Sequence, residues 1–114
     1  MFQKLKVLVP LILTTVVVVY FLSSYLIKRD FDIICREHTS LLQKKGSGDL
    51  AQLTYEASVN IEKDLITPPV KRAFNALADA DPGSRYELYQ RASLELGYED
   101  WSCPAMISLF ENNQ

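Results

Sequence analysis

The sequence predicts an all-α protein, with a single N-terminal transmembrane helix followed by a small bundle of about four helices closed by a disulfide. Three observations carry that expectation. Val7 to Ile27 (VLVPLILTTVVVVYFLSSYLI) is an apolar run without a charged residue. Beyond it, apolar side chains recur every three or four positions, the spacing of one helix face. Two cysteines, Cys35 and Cys103, stand near opposite ends of that second part.

The first element follows from length. At ~1.5 Å per residue, residues 7–27 reach roughly 30 Å as a helix, the thickness of a bilayer's hydrocarbon core. A cleaved leader is the rival, because Lys4 and Lys6 precede the run. Small residues at −3 and −1 would mark a cleavage site, yet Leu22 or Phe21 would occupy −3 ahead of Ser24 or Ser23. An uncleaved anchor is therefore expected, with residues 1–27 as basic start and span and residues 28–114 as a small helical domain. Tyr25 beside Lys28 and Arg29 suits the membrane interface. Orientation is pulled two ways. Lys28, Arg29, Arg36, Lys44 and Lys45 outnumber Lys4 and Lys6, which favours a cytoplasmic domain. A cysteine pair makes most physical sense in an oxidising compartment, and a basic start ahead of a first span is that of a signal anchor. The expectation is an inner (cytoplasmic) membrane protein whose C-terminal domain lies on the periplasmic side.

Phe31, Ile34, Cys35, His38, Leu41 and Leu42 continue the helix as an amphipathic stripe, with Asp30, Asp32, Arg36 and Glu37 assigned to other faces. Gly46-Ser47-Gly48 ends it. Asp49 with Gln52 three residues on predicts a capping box. In the next segment Leu53, Tyr55, Ala57, Val59 and Ile61 also alternate as a strand would. With no partner strand in sight, helix is preferred. Thr67-Pro68-Pro69 and Asp81-Pro82 each predict an N-cap followed by Pro in the first turn. Gly97 predicts a left-handed C-cap, and Ala105–Phe110 one or two final turns.

Composition narrows function. Residues 28–114 hold ten Lys/Arg against fourteen Asp/Glu, a net charge of −4. Such an acidic domain repels phosphate backbones, so no nucleic acid is expected as a partner. No phosphate loop, dinucleotide fingerprint, nucleophile elbow or zinc-protease helix occurs, and no enzyme is expected. Cys35 and Cys103 most simply pair with each other, which would stabilise so small a domain by about 4 kcal/mol. A bridge between two chains, and hence a homodimer, is the second possibility. A thiol- or metal-handling module built from Cys35, His38 and Cys103 is the third, though it offers only three ligands. No cofactor is expected. The aromatic group Tyr86, Tyr89, Tyr98, Trp101 and Phe110 reads either as core around the bridge or as a surface for a protein partner.

The stretch FNALADADPGSRYELYQRASLELGYEDWSCPAM, with Pro-Pro-Val ahead of it, resembles a loose group of uncharacterised small bacterial helical proteins, exported or membrane-anchored, that end in a Gly-x-x-x-Trp-x-Cys-Pro segment. The resemblance spans roughly residues 60–106. It implies an exported location and a cysteine pair, and no activity. An uncleaved span departs from part of that group. The combined expectation is a non-catalytic, membrane-anchored envelope protein that binds, scaffolds or regulates a protein partner.

Overall fold

The computed structural model describes residues 2–111 and contains five helices: α1 (Phe2–Lys44), α2 (Leu50–Asp64), α3 (Pro68–Leu77), α4 (Pro82–Glu95) and α5 (Pro104–Glu111). Met1 and residues 112–114, the ends of the two predicted segments, lie outside the described residues. No strand occurs among the described residues.

α1 runs unbroken through the expected boundary at residues 27/28. The expected division between anchor and domain thus falls within one continuous helix, with no linker. At ~1.5 Å per residue the helix is ~65 Å long, and it sets the 69 Å long axis of a molecule only 23 × 21 Å across. Leu8 to Leu22 present their side chains outward, with Leu13 60%, Val18 57% and Phe21 66% exposed. None of the most apolar window is buried against protein. α1 is therefore a helix long and apolar enough to cross a membrane. Within the run, the Thr14 hydroxyl donates to the Pro10 carbonyl and the Thr15 hydroxyl to the Leu11 carbonyl, both at 2.8 Å. Both hydroxyls thus find acceptors within their own helix.

The C-terminal half of α1 is the spine of the bundle. α2 and α5 pack on it, α3 leans on α1 and α4, and α5 also packs on α4. The core joins Phe31 and Ile34 of α1 to Ile61, Leu65, Val70, Tyr89, Trp101, Cys103 and Met106. Each of the larger of these contributes ~1.5–3 kcal/mol by leaving water. Gly46, at φ 95°, turns the chain from α1 into α2.

The helix boundaries follow the predicted caps, although the bonds made at them differ. Asp49 accepts the Ala51 N–H at 3.1 Å, as an N-cap should. Gln52 does not complete the box; its amide points to Glu56 at 3.5 Å. Thr67 and Asp81 precede Pro68 and Pro82 as expected, but neither side chain caps its helix. The Thr67 hydroxyl instead donates to Asp30. α4 ends in a complete Schellman motif: Gly97 at φ 98°, its N–H on Leu94, and the Tyr98 N–H on the Ser93 carbonyl at 2.7 Å. Pro104 opens α5 in its first turn, one residue ahead of the predicted start at Ala105.

Candidate functional site

Three features of the domain bear on function: a covalent clasp, a cleft, and an exposed apolar face. The clasp forms where the chain after α4 crosses α1. Gly97 reverses the chain and Trp101 is driven inward to 2% exposure. The Trp101 indole Nε1–H donates to the Phe31 carbonyl at 3.1 Å, so a buried donor is satisfied. Its ring stands 5.7 Å from Phe31, 6.0 Å from Tyr86 and 6.4 Å from Tyr89. Two residues later Cys103 bonds Cys35 across 68 positions, with Cα atoms 5.5 Å apart. Tyr98 remains half-buried; its hydroxyl donates to Asp32 at 2.9 Å, and the Lys28 ammonium lies 5.7 Å from its ring centre. Burial first, then the Asp32 carboxylate, raises the Tyr98 phenol above its usual range.

This placement resolves the aromatic group. Tyr89 and Trp101 are core residues at 2% exposure and cannot face a partner, a correction to the docking-surface reading for these two. Tyr86, Tyr98 and Phe110 are half-buried at the edges of the same cluster. The competing thiol or metal reading loses its thiolates, because both sulfurs are held in the bridge. Among the described residues no group of His, Cys, Asp and Glu is arranged to hold a metal ion.

His38, one turn beyond Cys35, is buried at 8% exposure. Its Nδ1 lies 2.7 Å from the Ile34 carbonyl, which can only accept, so the proton sits on Nδ1. Burial lowers its pKa and the ring is neutral, with the nearby Arg85 charge acting in the same sense. Phe110 packs edge-on at 5.6 Å. Burial likewise pushes the Tyr89 phenol upward and keeps it protonated.

The residue that sequence reasoning missed is Asp30. Assigned to a face other than the apolar stripe, it is fully buried. Its Oδ2 accepts the Thr67 hydroxyl at 2.6 Å, the Thr67 N–H at 2.7 Å and the Ile66 N–H at 3.1 Å, and Arg29 approaches Oδ1 at 3.2 Å. A buried carboxylate is tolerated when its lone pairs are met in this way. It also lies at the N-terminal end of α3, where the helix dipole favours a negative charge. The signal was present in the spacing: Asp30, Ile34 and His38 are four apart and share a face.

The cleft lies over α1, between α2 and the packed pair α4–α5. Its volume is about 660 Å³, and His38, Leu41, Ile61, Arg85, Leu109 and Phe110 are among its walls. The exposed face is on α2. Ala57 and Ile61 face the core, whereas Tyr55 is 70% and Val59 43% exposed one turn apart on the opposite side. Ile66, just past the helix, is 49% exposed. Thus α2 carries apolar residues on two sides, which is why its sequence also alternates like a strand.

Compared with known protein families, characterised proteins and solved structures, the chain matches no family model, no characterised protein and no solved structure.

Proposed function

We propose that this is a non-catalytic, single-pass protein of the cytoplasmic membrane, with its helical domain on the extracytoplasmic side, where it holds a protein partner. The observation that carries the docking role is the unpartnered apolar face of α2 formed by Tyr55 and Val59. Large aromatic and branched side chains gain little from water, and contiguous apolar residues on a small domain mark contact surfaces. The extracytoplasmic side is supported by the Cys35–Cys103 bridge, since such bonds persist in oxidising compartments. The outward-facing apolar length of α1 supports the anchor.

The test is in-membrane photo-crosslinking with a benzophenone residue in place of Tyr55. The same probe in place of Glu87, an exposed position on α4 with 74% side-chain exposure, is the control. A discrete adduct with another protein from position 55 alone, abolished by Val59→Glu, is the expected outcome. An adduct of twice the chain's own mass would assign the face to a second copy instead. Equal, diffuse labelling from both positions would remove the docking role.

A further inference from the structure

We propose that the cleft between α2 and α4–α5 binds a single-chain amphiphile with a carboxylate head group, its chain against Leu41, Ile61 and Leu109 and its head on Arg85. This goes beyond the protein-docking role and uses the other side of α2. The volume of about 660 Å³ falls in the range of small-molecule sites, roughly 300–1,000 Å³. Leu41, Ile61 and Leu109 are core side chains, and Phe74 and Phe110 add aromatic wall.

The polar groups of the lining determine what the head must be. Thr54 spends its hydroxyl on the Leu50 carbonyl at 2.7 Å. His38 is neutral and donates to its own helix. Asp81 stands at the start of α4, exposed. Arg85 is the one cation in the lining. Its Nη2 donates to the carbonyls of Ala78 at 3.2 Å and Ala80 at 3.0 Å, and its guanidinium lies 5.1 Å from the Phe110 ring centre. Among the residues whose side chains are described, no carboxylate comes within 4.0 Å of it. Its Nε is buried and has no hydrogen-bond partner. A permanent positive charge with only neutral acceptors, and with a buried donor unmet, is complementary to one negative charge. The planar guanidinium fork matches a carboxylate. Apolar walls beside that one cation call for an acyl chain behind the head group.

The experiment uses the full chain in lipid nanodiscs and a diazirine-tagged decanoic acid, with labelled peptides mapped by mass spectrometry. Label is expected on α2 and α5 segments that line the cleft. Excess decanoate should suppress it about tenfold more effectively than decanol, because only the former bears the charge. Arg85→Gln should abolish that difference. Since Arg85 also holds the turn between α3 and α4, Ser58→Trp serves as a second variant, filling the cleft from an exposed lining position and leaving Arg85 in place. It should lose the label with helicity unchanged. Label confined to residues 7–27, decanol competing as well as decanoate, or Ser58→Trp labelled like the wild type would each overturn the proposal.

Discussion

Asp30 concentrates the energetics of this domain in one side chain. A single carboxylate oxygen gathers two backbone N–H groups and a hydroxyl, binding the turn before α3 to the helix that leaves the apolar run. Removing it leaves those donors buried and unmatched, which costs more than the bonds themselves contribute. Asp30→Ala is therefore expected to lower stability by about 3 kcal/mol, and Asp30→Asn by about half of that, since an amide oxygen still accepts where the charge is lost. Urea denaturation of the three proteins measures this directly; equal stability of wild type and Asp30→Ala would show the bonds to be without consequence. The position was legible in spacing, as a companion of Ile34 and His38, and was obscured by its charge. Charge predicts exposure only until a fold supplies donors, and these donors come from residues thirty-six and thirty-seven positions away. Trp101 is the converse case. Its size promised burial, but the carbonyl that accepts its N–H belongs to Phe31, seventy positions earlier.

Helix ends were far more legible than helix faces. Gly46, Asp49, Pro68, Pro82 and Gly97 mark boundaries that the structure keeps, because turn and cap chemistry is decided within a few residues. Gly97 illustrates the strength of such a signal. Its φ of 98° is a conformation that side-chain-bearing residues adopt at a cost of roughly 1–2 kcal/mol. A Cβ there meets no neighbouring atom, so the cost of Gly97→Ala would be conformational alone. A drop of about 1 kcal/mol in stability is expected for that substitution. Thermal melts followed by circular dichroism should show a lower midpoint with helicity retained, and an unchanged midpoint would contradict the strained-cap account. The faces of α2 show the opposite limit. Periodicity found its inner residues, Ala57 and Ile61, but Tyr55 and Val59 blurred the pattern toward a strand. An apolar residue that faces outward cannot be told from one that faces inward until its neighbours are placed.

Across the molecule, one bond ties the ends of the domain together. Cys35 lies on the spine helix and Cys103 just before α5, so the bridge fastens the last helix to the first. Closing a loop of that length removes chain entropy from the unfolded state worth about 4 kcal/mol, comparable to the net stability of a small domain. Cys35→Ser, or reduction of the wild type, should make residues 28–114 rapidly cleavable by protease, starting near the Cys103 end. Retained resistance would mean that Trp101, Met106 and Leu109 hold α5 unaided. The apolar span, the all-helical class, the order of the helices and the pairing of the only two cysteines could be read from the residues alone. Each depends on local spacing, on turn chemistry or on there being only two candidates. Which charges and rings became interior, the cleft that Arg85 lines, and the bare outer face of α2 were decided by packing. Those features are made of contacts between segments distant in sequence, and a side chain's surroundings exist only once those segments have met.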